Sequence, residues 1–312
     1  MQLITFDKEK CLSCYACVKA CPVKAITISS SEEILSFNHN RCLGCGNCYI
    51  SCGPKAIGYI DSTKAVSQLL NSETPCIAIV DPSISAEFPD ILDVRNFVGM
   101  IRALGFEFVN EISFGADVIA YKYKNLFDNF KGKYHITTNC PPIYDYVEKF
   151  QTHIIDSLVK IDSPMIATAK IMKEIHGDDC KIIAITPCIA QKREAKRFGF
   201  VDEVISFEEL RILFNQNKIY ENSVEFSEFD MPLGAKGSLY PLSTGILNAA
   251  DINYTDIDSK IITKDGAEHF TQFMNDFASI SLIKHHLNIF YCHGCAMGPG
   301  SKNNNSYLRN HS

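Results

Sequence analysis

The chain has 312 residues, 46% hydrophobic and 21% charged, enough to bury a sizeable core in a small domain plus a larger one. A formal net charge of -6, with no basic stretch longer than Lys192 to Arg197, argues against a nucleic acid partner. There is no charged-plus-apolar leader and no apolar run of about 18 residues, so the expectation is a soluble, cytoplasmic protein with no membrane span.

Eight of the 14 cysteines stand in two runs near the start. They are Cys11, Cys14, Cys17 and Cys21 in CLSCYACVKACP, then Cys42, Cys45, Cys48 and Cys52 in CLGCGNCYISCGP. Each run has the C-x2-C-x2-C-x3-C spacing of bacterial two-cluster ferredoxins, in which three close thiolates hold one cubane and the fourth reaches the other. One 4Fe-4S cluster is therefore expected on Cys11, Cys14, Cys17 and Cys52, and a second on Cys42, Cys45, Cys48 and Cys21. The tails match as well, CPVKAITI and CGPKAIGYI, although Gly53 stands where a proline usually follows the fourth cysteine. Zinc knuckles or disulfides are the rival readings. Tight zinc sites usually pair two C-x2-C hooks, and this many cysteines in a cytosolic chain favour thiolate ligation. Assembled clusters would be oxygen-sensitive, which points to an anaerobic host.

Residues 1–61 thus read as a small α+β ferredoxin-like domain, and 62–74, with STKAVSQLLNSE, as a helical linker. From 75 to 300 apolar runs rich in β-branched residues alternate with helix-period segments: CIAIV, DILDVRNFVGMIRALGF, EFVNEISF, GADVIAYKYKNLF, KYHITTNC, SPMIATAKIMKEI and KIIAITPC. That order predicts an α/β catalytic domain of two lobes with largely parallel sheets, its ligands beyond the C-terminal strand ends. Residues 301–312 read as a polar, disordered tail.

Cys140 and Cys188 fall at such strand ends, each beside proline, where regular backbone breaks and a thiol can face a cavity. Cys292 and Cys295 form a C-x2-C hook in the glycine-rich YCHGCAMGPG. These four could hold a third metal centre, although a lone cysteine is more often a small buried hydrophobe. That bland reading is applied to Cys76 and Cys180, at the edges of apolar strands, and His293 reads as a solvated loop residue.

Four stretches resemble the FeFe hydrogenase family, in its order and spacing: TTNCPPIYDYVEKF, ITPCIAQKREA, EFDMPLGAKGSLYPLSTGILNAA and YCHGCAMGPG. The resemblance implies an H-cluster, a cubane on Cys140, Cys188, Cys292 and Cys295, with Cys295 bridging to a diiron subsite. It also implies that Pro82 and Ser83 line the diiron pocket, that Pro187 and Gln191 belong to the second cofactor loop, and that Glu194 and Ser163 lie on the proton path. Electrons would arrive through the two N-terminal clusters from a ferredoxin or flavoprotein, and hydrogenase maturation proteins would install the diiron unit.

The departures resemble a divergent, sensory branch of that family. Asn139 replaces the proton-relaying cysteine, and an amide has no proton to give near neutrality. Gln191 replaces a lysine and Thr186 a methionine, while YKYKNLF offers lysines where active relatives supply glutamates. The third loop is C-x2-C rather than C-x3-C. The expectation is a slow or hydrogen-sensing hydrogenase, with a signalling partner for output. The alternatives are a diiron-free electron-transfer or cluster-assembly protein and a decayed paralogue.

Overall fold

A computed structural model describes residues 1–28, 35–255, 259–279 and 285–301. The expected polar tail lies outside these residues except for Ser301.

The N-terminal lobe contains the short strands β1 (Ile4–Phe6), β2 (Ile26–Ile28), β3 (Leu35–Phe37) and β4 (Ile57–Tyr59), with the helices α1 (Ala16–Ala20) and α2 (Asn47–Ile50). β1 pairs antiparallel with β4, and β2 with β3. The matching tails have a shared geometry. Lys24 and Lys55 both take positive φ, 51° and 55°, a conformation non-glycine residues seldom adopt. Each turn aims the next amide at the fourth sulfur of its run: Ala25 N–H donates to Cys21 Sγ at 3.1 Å and Ala56 N–H to Cys52 Sγ at 3.2 Å.

The segment expected as a linker forms α3 (Thr63–Leu70), and its Val66 is fully buried in the next core. There follow β5 (Cys76–Val80), α4 (Ile84–Glu87), α5 (Val94–Ala103), β6 (Phe108–Glu111), α6 (Ser113–Asp128), α7 (Pro141–Phe150), α8 (Pro164–His176), β7 (Lys181–Thr186), α9 (Gln191–Phe198), β8 (Glu203–Ser206) and α10 (Phe207–Gln216). The parallel sheet runs β6-β5-β7-β8. Both faces are covered, which is why these strands read as continuous apolar runs. Ala78, Val80, Ile183 and Ile185 pack with α5 and α10, while Ile77, Ile79, Ile182 and Ala184 pack with α6 and α8.

After α11 (Gly245–Ala249), a second parallel pair forms from β9 (Ile261–Lys264) and β10 (His286–Ile289), with α12 (Phe270–Ser279) between them in sequence. Ile136 extends this pair by parallel bridges to Leu287 and Leu158. KYHITTNC therefore contributes bridge pairing rather than the full strand its pattern suggests, because the chain turns into α7 at Cys140-Pro141-Pro142.

The N-terminal lobe is not a separate bead. Its Leu3, Ile26, Leu43 and Ile57 share one core with Ile136, Ile143, Phe270 and Phe290. Polar ties reinforce that packing: Tyr49 Oη donates to Glu208 at 2.7 Å and Asn47 Nδ2 to Tyr291 Oη at 2.8 Å. Among the described residues no helix is long and apolar enough to cross a membrane.

Candidate metal centre

The N-terminal cysteines do not group run by run. Cys21, Cys42, Cys45 and Cys48 line one cavity, drawing one member from the first run and three from the second. Burial, then the charges of Cys45, Cys42 and Cys21, opposes ionisation of Cys48. Cys17 is likewise raised by burial, with Cys52 and Cys11 adding to it, so a second set gathers around Cys17. Cys14 is exposed, whereas Cys21 and Cys48 are buried. Among the described residues no three His, Cys, Asp or Glu side chains close on the space of a single ion.

The dispersed thiols meet where parallel strands end. Cys140 caps α7 with prolines at the first two helical positions, Cys188 lies two residues past β7, and Cys292 and Cys295 follow β10. All four line one cavity, together with Asp81, Asn139, Gln191, Phe290 and Cys45. Convergence at carboxyl strand ends is the rule for α/β ligand sites. Gly298 and Gly300 let the last loop close on Pro187: a Cβ at Gly298 would stand 2.4 Å from the Pro187 oxygen, which accepts the Gly300 N–H at 2.8 Å. Pro187 thus buttresses the loop from behind and is not among the residues that line the cavity.

Burial pushes the Cys140 thiol up to about 11 and raises Cys188, Cys292 and Cys295 as well. Each charged thiolate would also repel the others: Cys188 and Cys140 oppose ionisation of Cys292, and Asp81, Cys188 and Cys140 that of Cys295. Such thiols stay protonated until a cationic group compensates them, so loading a cluster expels protons. Two buried amides point the same way. Asn139 Nδ2 and Oδ1 and Gln191 Oε1 have no hydrogen-bond partner, and both residues are 5% exposed on the cavity wall. Orphaned polar atoms of this kind call for a ligand. Four thiols and two unsatisfied amides fit a cubane with a polar group beside it.

Sequence reasoning passed over Asp81, although it lies directly before Pro82 and Ser83 at the end of β5. It is 1% exposed and accepts from Ser83 N–H at 2.9 Å, from Ser83 Oγ and from Tyr240 Oη. Burial holds its carboxyl above the usual range. Ser83 is thus turned toward Asp81, and neither Pro82 nor Ser83 is among the residues that line the cavity.

Glu194 and Ser163 sit together in a larger cleft bounded by α7, α9 and the segment 155–163 that leads into α8. Burial pushes Glu194 up to about 7 against the Ser163 hydrogen bond, and its Oε2 has no partner. Of YKYKNLF, the residue reaching inward is Tyr123, whose Oη accepts from the Thr138 N–H at 3.1 Å. Lys124 instead pairs with Asp128 near solvent. Cys76 and Cys180 are buried, away from the cysteine cavities, as expected of small hydrophobes.

Residues 74–299 match the family described as iron only hydrogenase large subunit, C-terminal domain, and residues 3–53 match the 4Fe-4S dicluster domain. Iron hydrogenase 1 of Clostridium pasteurianum is 26% identical over 95% of this chain and 64% of its own length, so the chain spans under two thirds of that relative. The cytosolic Fe-S cluster assembly factor NAR1 of Vanderwaltozyma polyspora is 32% identical over 28% of this chain and 18% of its own length. Among solved structures, a variant of the FeFe-hydrogenase HydA1 from Chlamydomonas reinhardtii superposes with a TM-score of 0.63 at 14% identity, covering 80% of this chain and 87% of that one. At that identity the likeness shows the fold. The chain is an iron–sulfur protein and belongs to the iron-only hydrogenase large-subunit family, with a 4Fe-4S dicluster domain at its N-terminus.

Proposed function

We propose that this chain carries electrons through two N-terminal 4Fe-4S clusters to a third on Cys140, Cys188, Cys292 and Cys295, beside which a diiron unit turns hydrogen over slowly or senses it. In this reading residues 1–61 are the inlet, 62–74 the connection and 75–300 the H-cluster domain. The supporting observation is the cavity itself: four thiols from three separate loops, two orphaned amides and Cys45 of the second set share one wall. When bound, the diiron unit supplies heterolytic cleavage or formation of hydrogen.

The chain's own residues shape how fast that can run. Cys45 brings cluster two against the third cavity, giving electrons a short last step. Asn139 Nδ2 can donate a hydrogen bond into the cavity but cannot relay a proton. Gln191 offers a neutral amide where a cation would hold an anionic ligand more firmly. Glu194, with its carboxyl near pH 7, can take and release a proton at Oε2 in the outer cleft. The inner step from there to the cavity is the weak link, so low activity or a sensing role follows. A ferredoxin or flavoprotein would supply electrons, maturation proteins the diiron unit, and a signalling partner the output.

A second reading, a diiron-free electron-transfer or assembly protein, is favoured by one feature. Asp81, on the same wall, takes the hydroxyls of Ser83 and Tyr240, so neither donor is left for an anionic diiron unit. Adding a synthetic diiron mimic to the anaerobically reconstituted chain and recording infrared spectra separates the two. The proposal expects carbonyl and cyanide bands, with hydrogen evolution from reduced methyl viologen that rises in Asn139→Cys. No such bands beside an intact third cubane would establish the second reading.

A further inference from the structure

The contact between the N-terminal lobe and the larger lobe is charged on the side of one cluster. Lys149 Nζ and Arg193 Nη1 both donate to the Cys42 carbonyl at 2.7 Å. Asp145, 4% exposed, accepts from Arg193 at 2.6 Å and Lys149 at 3.2 Å through one oxygen and from Arg197 at 2.8 Å through the other. Arg197 also pairs with Glu148 at 2.9 Å. In direct contact, three cations thus face two carboxylates, and two of the cations bond to the Cys42 carbonyl.

The other lysine or arginine bonds to carbonyls of this lobe, among the described residues, run from Arg41 to Val23, two residues past Cys21. Cys21 and Cys42 belong to the same crossed set. Tyr291, whose hydroxyl accepts from Asn47, lies beside Cys45 of that set. Cations bonded to the lobe's carbonyls are therefore concentrated on the cluster with the buried Cys21 and Cys48, not on the one with the exposed Cys14.

We propose that Arg193 and Lys149 raise the reduction potential of cluster two, so that an electron rests beside the third cavity rather than at the outer cluster. Reduction adds negative charge to a cubane, and burial opposes it. Without compensation, the buried Cys21–Cys42–Cys45–Cys48 cluster would be the harder to reduce, and electrons would be held away from the cavity. A cation in contact with a ligand's own carbonyl, in a site of low dielectric, offsets that cost. This tuning rests on the crossed ligand sets and not on the diiron unit.

The test is an EPR-monitored redox titration of the anaerobically reconstituted full chain. Arg193→Leu should lower the reduced-to-oxidised ratio of one cluster at fixed potential by about tenfold, or about 59 mV for a one-electron couple. Asp145→Asn, which removes the buried counter-charge, should move the same wave the opposite way, and Arg193→Lys should leave it near wild type. Loosened packing would not produce shifts of opposite sign. Both variants shifting in one direction, all waves moving together, or none moving would overturn the proposal. The readout needs neither hydrogen nor diiron unit, so its failure is distinct from that of the infrared test.

Discussion

Cys11 to Cys21 and Cys42 to Cys52 are each held within a single run whose turns aim neighbouring amides at sulfur. Cys140, Cys188, Cys292 and Cys295 instead come from loops spread over half the chain, meeting because parallel strands end in one place. The first arrangement is local and depends mainly on its own backbone. The second is a product of the whole fold, so its integrity should follow the packing between lobes, and its cavity wall carries side chains no motif announces.

The largest break in that contrast should come from Lys192. Its ammonium, 1% exposed, pairs with Glu209 at 2.9 Å and donates to Ser62 Oγ and the Val204 carbonyl, both at 2.7 Å. Lys192→Met leaves a buried carboxylate without its cation and should cost about 3–5 kcal/mol. Chemical denaturation of the anaerobic protein measures this, and Lys192→Met combined with Glu209→Gln should recover most of the loss. Because Ser62 stands where the N-terminal lobe joins the sheet, the third cluster should be lost at lower denaturant than the outer one.

A smaller effect sharpens the comparison from the cleft side. Glu194 has its carboxyl raised to about 7 in the fold, so the native state binds the proton more tightly than the unfolded chain. That stabilisation is present below the unfolded value and is lost as pH rises toward 7. Glu194→Gln keeps a neutral side chain at every pH, so its stability relative to wild type should grow between about pH 4.5 and 7, by on the order of 1–3 kcal/mol. Parallel pH profiles for the two proteins would show a misplaced Glu194.

What could be read from the chain divides along the same line. The 4Fe-4S dicluster domain was legible because cluster ligation fixes spacing within about ten residues. The parallel sheet was legible because strands covered on both faces, such as CIAIV and KIIAIT, read as unbroken apolar runs. Cys140, Cys188, Cys292 and Cys295 could be nominated from proline and glycine punctuation, but their meeting depends on strand order, which no local pattern encodes. Asp81 and the cation cluster at Asp145 were missed for the same reason. Asp145 reads as an ordinary helix residue until α9 brings Arg193 and Arg197 against it. The placement of Ser83 also depended on a distant partner, since Asp81 draws its hydroxyl aside and Tyr240 fixes that carboxyl.

The central claim is that the dispersed cysteines hold a third four-iron cluster independent of the two local ones. Iron and sulfide analysis with Mössbauer spectra, on anaerobically reconstituted wild type and on Cys140→Ala combined with Cys188→Ala, tests it most directly. The account predicts about twelve irons per chain in wild type and about eight in the variant, with the ferredoxin-type signals unchanged. Equal iron in the two proteins, or loss of the ferredoxin-type signals together with the third, would contradict it.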